Sequence, residues 1–285
     1  MNAGGAGGIR IGDNLTVHRL GFGAMRLCGS GVWGPPADPD NALRVLSRAV
    51  ELGINFIDTA NAYGPGVNEE QIAQALHPYQ SDLVIATKGG STRSGPGQWG
   101  RDGRPASIKK ACEGSLRRLR REQIDLYQLH SVDDTLPYEE QIGALKDLQD
   151  EGKIRYAGVS NVDEAQLKVA RSVMRIVSVQ NRYNAADRQS EPVLEVCERD
   201  RLVFIPWFPL DAGDIGAQSM LTEVAGKYDA SAHQIAIAWL LKRSQAMLPI
   251  PGTSSLAHLE QNVAAAGIAL SDEDYAKIDA GETQA

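Results

Sequence analysis

Short apolar runs alternate with longer amphipathic segments along nearly the whole chain. "DNALRVLSRAVELG" leads to "INFIDT", "NEEQIAQALH" to "DLVIATK", and "PASIKKACEGSLRRLR" to "IDLYQLH". The rhythm continues with "PYEEQIGALKDLQDEG" before "KIRYAGVS", "VDEAQLKVARS" before "RIVSVQ", and "SEPVLEVCERD" before "LVFIPWFPL". "SAHQIAIAWLLKRS" then precedes "AMLPIPG", and "LAHLEQNVAAAG" follows it. The long segments carry helical periodicity. The short ones are almost continuously apolar, as parallel strands buried on both faces must be. Ahead of them a glycine-rich start reads as flexible, and "IRIG" with "LTVHRLGFG" reads as a short hairpin feeding a strand. Counting "VHRLGFG" first gives eight strands, most followed by a helix. That favours an α/β fold of the closed (β/α)8 TIM-barrel type over an open doubly wound sheet. "QSMLTEVAGKYD" and "SDEDYAKIDAG" are two additional helices outside the repeat. No Pro- or Gly-rich break divides the chain, so residues 1–285 are expected to form a single barrel domain.

Composition narrows the function. The 285 residues carry a formal net charge of -7, which argues against a broad surface for nucleic-acid phosphates. Apolar stretches such as "IAIAWLL" are too short to span a bilayer, and "MNAGGAGGIR" lacks the apolar core of a signal peptide. Cys28, Cys112 and Cys197 form no CxxC and read as reduced thiols, so a cytoplasmic protein with no metal centre is expected. No nucleic-acid or membrane partner is expected; the oligomeric state stays open and a monomer is compatible with the sequence. "GFGAMR" does not match GxGxxG, and neither Walker A nor HExxH occurs.

The barrel reading gathers distant polar residues at one rim. Asp58 closes strand two, Lys88 strand three and His130 strand four, and Tyr63 lies in the loop just after Asp58. Taken singly, Asp58 reads as a turn cap, Tyr63 as a loop aromatic, Lys88 as a solvated rim cation and His130 as a structural imidazole. At three adjacent strand ends of a barrel they read together as a catalytic group. Reduction of a carbonyl suits it. Hydride attack builds charge on oxygen, which needs a proton and a preorganised donor. The Lys88 ammonium would stabilise the phenolate form of Tyr63, Asp58 would hold Lys88, and His130 would orient the substrate oxygen.

Later strand ends offer more polar groups. "AGVSN" supplies Ser160 and Asn161, and "VSVQNRYN" supplies Gln180; these amides match a carboxamide's donor and acceptor pattern, although Ser and Asn also cap helices. Trp207 in "FIPWFPL" is either core filler or a stacking surface. "GGSTRSGPGQWGRDG" reads as a long glycine-rich loop. Its Trp99, with Trp33 after strand one, is a candidate apolar wall for the substrate.

From "LGFGAMRL" to "IPGTSSLAHLEQN" the chain resembles the aldo-keto reductase superfamily, over essentially its whole length. "GINFIDTANAYG…NEEQIAQAL" carries the strongest similarity. The resemblance implies an Asp58, Tyr63, Lys88, His130 tetrad, direct hydride transfer from a nicotinamide, and a small aldehyde or ketone as substrate. It assigns Ser160, Asn161 and Gln180 to the carboxamide and Trp207 to the nicotinamide face. Pro209 and Leu210, with Gly213 and Gly216, would run beside the pyrophosphate. Gly252, Thr253, Ser254, His258, Gln261 and Asn262 would flank the adenosine end. Many members carry a lysine where this chain has Gly252 and an arginine where it has His258. Those cations bind the 2'-phosphate of NADPH, so the charge match is weaker here; branches of the family with this glycine-threonine version are generally NADPH-linked, so the resemblance implies NADP(H) over NAD(H), with NAD(H) retained as an alternative. With only "GETQA" after the last helix, an open substrate pocket is expected. Two other readings stand beside this one: a nicotinamide-binding regulatory subunit, as in potassium-channel relatives of the fold, and a barrel aldolase using Lys88 as a Schiff base.

Overall fold

In the computed structural model, which describes residues 2–210 and 219–281, the chain opens with an antiparallel hairpin of β1 (Gly8–Ile11) and β2 (Leu15–His18). Strands and helices then alternate: β3 (Phe22–Gly23), α1 (Pro39–Glu51), β4 (Phe56–Asp58), α2 (Val67–Leu76) and β5 (Val84–Gly89). A second hairpin, β6 (Ser91–Gly95) and β7 (Gln98–Arg101), precedes α3 (Pro105–Leu119), β8 (Ile124–Leu129), α4 (Tyr138–Asp150) and β9 (Ile154–Ser160). The series ends with α5 (Glu164–Val173), β10 (Ile176–Arg182), α6 (Glu191–Asp200), β11 (Val203–Trp207), α7 (Ser219–Ala225), α8 (Ala232–Arg243), α9 (Leu256–Ala264) and α10 (Asp272–Gly281). Among the described residues no helix is long and apolar enough to cross a membrane.

Seven strands pair in parallel in the order β3-β4-β5-β8-β9-β10-β11. The predicted eighth strand, in "AMLPIPG", closes the cylinder without forming a regular ladder. Phe204 N–H donates to Ala246 O at 2.8 Å and accepts at its carbonyl from Leu248 N–H at 2.9 Å; on the other side Gly21 N–H donates to Pro249 O at 2.9 Å. Pro249 and Pro251 have no N–H to donate, which limits this segment to a single parallel bridge, Phe204 with Met247. The fold is a (β/α)8 barrel, and the two helices expected outside the repeat are α7 and α10.

Strand parity determines what faces inward. Phe56, Val84, Ala86, Leu126, Val203 and Ile205 fill the interior together with Ile11, Leu15 and Val17 of the first hairpin, which plugs one end. Their neighbours Ile57, Ile85, Tyr127 and Phe204 pack outward beneath the helices. Side chains alternate along a strand, so Asp58, Lys88, His130 and Trp207 continue the inward rows at the opposite end of the cylinder.

Two expectations need correction. The segment read as a long glycine-rich loop is the β6–β7 hairpin, turned by Pro96 and Gly97, with Gly97 at φ +69°. The amino-terminal glycines are not loose: Ala3–Ala6 is a 3-10 turn capped by Asn2, with Ala3 buried and its N–H donating to Leu52 O at 2.8 Å.

Gly252 follows the closing segment at a point of tight backbone contact. A Cβ built there would lie 2.3 Å from Gly23 O, and one on Gly23 would lie 2.6 Å from Ile250 O. The obstacle is backbone that is itself part of the cylinder. Gly252→Ala is expected to lower stability by about 1–3 kcal/mol, as overpacking of a rigid site does. Urea unfolding measures it, and an unchanged midpoint would show that this seam relaxes freely.

Candidate active site

Lys88 is the deepest charge at the inward rim, with no exposed surface, and Asp58 is 2% exposed. The Lys88 ammonium donates to Asp58 Oδ2 at 2.6 Å and to Thr59 O at 2.8 Å. Gln180 Nε2 donates to the other Asp58 oxygen, Oδ1, at 2.8 Å. Three strands, β4, β5 and β10, thus share one buried polar contact. Lys88 Nζ also stands 5.3 Å from the centre of the Tyr63 ring, and that ring meets His130 at 5.8 Å between centroids. Asp58, Tyr63, Lys88 and His130, four residues spread over the first half of the chain, therefore adjoin one another.

Burial dominates their proton affinities. It raises the Tyr63 phenol well above its usual value, and the charge of Asp58 adds to the rise. The sequence suggested the opposite, with Lys88 easing the phenol towards phenolate; in this enclosed site desolvation wins. Burial also lowers Lys88, with Asp58 opposing it. His130 falls to about 3 through burial and then through the positive charge of Lys88, so its imidazole is neutral at physiological pH. Its Nδ1 is buried with no protein partner, as is Asn61 Oδ1.

A second group joins the first. Ser160 Oγ donates to Gln180 O at 2.7 Å, and Asn161, in a left-handed conformation at φ +57°, donates from Nδ2 to His130 O at 2.9 Å and to Ser160 Oγ at 3.1 Å. Trp207 Nε1 donates to Asn161 Oδ1 at 3.0 Å. Ser160, Asn161, Gln180 and Trp207 therefore form one connected shelf tied to Asp58 and His130. Pro209 is buried and Leu210 packs against the core beyond it; Gly213 and Gly216 lie outside the described residues.

The remaining positions surround the start of α9. Thr253 Oγ1 accepts from Ser255 N–H at 3.0 Å, Ser255 caps α9, and Ser254 O accepts from Asn41 Nδ2 at 2.7 Å. Ser254, His258 and Gln261 are exposed and Asn262 is buried. An exposed side chain missed in the sequence also passes here: Arg26 has its Cγ 3.7 Å from where a Gly252 Cβ would be. Gly252 offers only backbone.

Trp99 joins the candidate site directly, its ring 6.3 Å from Tyr63 and 6.0 Å from His130. Trp33 joins it through Arg93, whose guanidinium carbon lies 6.0 Å from the Trp33 ring. Nothing in the sequence marked Arg93. It is one arginine in a polar segment, and its importance comes from three loops meeting around it.

The family model for the Aldo/keto reductase family matches residues 19–282, and the chain belongs to that family. It is 45% identical over 280 residues to an uncharacterized oxidoreductase of Schizosaccharomyces pombe, covering 98% of this chain and 91% of that one. It is 41% identical to pyridoxine 4-dehydrogenase of Escherichia coli, over 93% of this chain and 94% of the other. A crystal structure of an aldo/keto reductase from Klebsiella pneumoniae in complex with NADP and acetate superimposes with a TM-score of 0.80 at 28% identity, covering 96% of this chain and 94% of that one. The chain is thus an oxidoreductase-family barrel with an NADP-binding structural neighbour.

The depressed affinity of His130 has a consequence for stability. Between its folded value of about 3 and its ordinary value of 6.5, the unfolded chain binds a proton that the native state does not. Its contribution is therefore intact above pH 6.5 and is lost as pH falls through that window. His130→Asn should show a shallower acid loss of stability than the parent between pH 6.5 and pH 4. Parallel unfolding curves across that range would show that His130 is protonated in the native state.

Proposed function

We propose that this protein is an NADP(H)-dependent reductase of aldehydes and ketones in which Tyr63 delivers the proton. The observation that carries this reading is the fully buried Lys88 ammonium, held between Asp58 and the Tyr63 ring at the mouth of the barrel. The shelf of Ser160, Asn161, Gln180 and Trp207 suits a flat, amide-bearing ring. The partnerless His130 Nδ1 and Asn61 Oδ1 are buried polar atoms that gain from a ligand beside them. A bound reduced nicotinamide supplies hydride to the carbonyl carbon.

The protein's own part is proton and charge management. A strongly raised phenol keeps its proton at neutral pH, as a general acid must. The alkoxide produced by hydride addition is a much stronger base than a phenolate, so the proton passes from Tyr63 Oη to the alkoxide oxygen. Lys88 then faces the phenolate left behind, and the Asp58–Gln180 contact keeps Lys88 in place. His130, neutral, holds the carbonyl oxygen by a hydrogen bond. Lys88 already donates to two acceptors, which disfavours its use as a Schiff-base nucleophile.

Preference for NADP(H) is supported by Thr253 and Ser254, by the positive end of α9 and by the exposed Arg26, whose Cγ passes Gly252. Titration of both reduced cofactors is expected to give tighter binding of NADPH; tighter NADH binding at every pH would reverse the assignment.

The proton role is tested in single turnover. Tyr63→Phe should slow hydride transfer by about 10²–10⁴-fold while cofactor affinity is kept. An unchanged rate would remove Tyr63 from the acid role. The substrate panel should contain aromatic and aliphatic aldehydes for reduction, and pyridoxine with NADP for the reverse direction, given the activity of the E. coli relative. Binding of cofactor with no turnover of any of them would favour a regulatory protein.

A further inference from the structure

We infer that Arg93 is a positioning residue that fixes Trp99 beside Tyr63 and His130 and so sets a preference for flat aromatic carbonyls; the substrate part of this rests on the reductase reading above. Arg93 lies on β6, five residues beyond Lys88, and among the described residues its guanidinium donates only to carbonyl oxygens. Nε donates to Gln98 O at 3.0 Å. Nη1 donates to Val32 O at 2.9 Å and Ala62 O at 3.4 Å. Nη2 donates to Gly31 O at 2.5 Å and Gly95 O at 3.3 Å. Those oxygens belong to the loop after β3, the loop after β4 that carries Tyr63, and the β6–β7 hairpin. One planar cation therefore joins the segments that follow three successive barrel strands.

The same guanidinium stacks on Trp99, with its carbon 3.9 Å from the ring centre, and lies 6.0 Å from the centre of the Trp33 ring. These two indoles are the exposed large hydrophobic side chains among the described residues, Trp33 at 36% and Trp99 at 47%. An exposed indole on a hairpin has several rotamers open to it. Here it is held against a weakly hydrated, flat cation, and it meets the Tyr63 and His130 rings nearly at right angles. Lysine cannot replace this. An ammonium has three donors and no plane, so it cannot serve five carbonyls and stack at once. The hairpin tip also depends on the junction, since Gly97 N–H donates to Gly31 O at 2.9 Å, the oxygen that Arg93 Nη2 also contacts.

The test compares the parent with Arg93→Met and Arg93→Lys. For Arg93→Met, KM for benzaldehyde should rise about tenfold with kcat nearly kept, while KM for propanal moves less than about twofold. Arg93→Lys should fall between the two. In a Trp33→Phe, Trp207→Phe background, which leaves only Trp99 and the fully buried Trp239, acrylamide should quench the fluorescence more strongly once Arg93 is changed. Equal KM rises for the two aldehydes, or unchanged quenching, would overturn the inference. If the parent reduces neither aldehyde, the reductase reading fails, and quenching alone then decides whether Arg93 positions Trp99. If Arg93→Met does not fold, Arg93→Lys carries both measurements.

Discussion

A charge with no access to water has to be answered inside the protein, and Lys88 sets that requirement here. Its ammonium is held by Asp58 and a backbone carbonyl, and Asp58 is held in turn by Gln180 from across the barrel. Removing one member would strand another in a poorly polarisable interior. The arrangement survives because strand parity delivers all three side chains to the same end of the cylinder at fixed spacing. It also shapes its surroundings. Burial keeps His130 neutral and the Tyr63 proton in place, with the charge of Lys88 adding to the first effect and that of Asp58 to the second.

Around this pair lies a belt of buried polar side chains that do no chemistry of their own. Thr59 donates to Asn68 Oδ1 at 2.6 Å, and Asn68 donates to Ala24 O at 3.0 Å. Gln71 donates to Leu27 O at 3.2 Å. Glu69, without exposed surface, accepts from Thr87 at 2.6 Å and from Arg118 at 2.7 Å. The "NEEQ" run thus supplies Asn68, Glu69 and Gln71 as ties between α2, β5, α3 and the loop after β3. These ties hold α2 against the barrel just beyond the stretch of chain that runs from Asp58 to Tyr63.

The sequence carried the barrel and its rim clearly, because both depend on periodicity. A short apolar run between helical segments declares a buried parallel strand, and a polar residue ending that run stands out, as Asp58 and Lys88 do. What escaped notice depends on contacts between segments far apart in sequence. The β6–β7 hairpin has little apolar alternation, so it read as a loop. The task of Gln180 on Asp58 joins residues 122 positions apart. Arg93 looked like any loop arginine until three loops closed on it. The direction of the Tyr63 shift escaped for another reason: a charge partner is visible in sequence, while the degree of enclosure that outweighs it is not.

The seam between Gly23 and Gly252 bears on how this chain could change over time. If the adenosine end lies here as proposed, a lysine at 252 would place a cation beside the cofactor's extra phosphate. Any side chain at 252 first meets the carbonyl of Gly23, 2.3 Å from the Cβ position. A gain of charge at that point therefore needs a prior shift of the closing segment, so the order of mutations matters. Arg26, already alongside, offers a route to the same cation that leaves the seam untouched. Selection for tighter phosphate binding would then act through the loop after β3 and leave the glycine where it is.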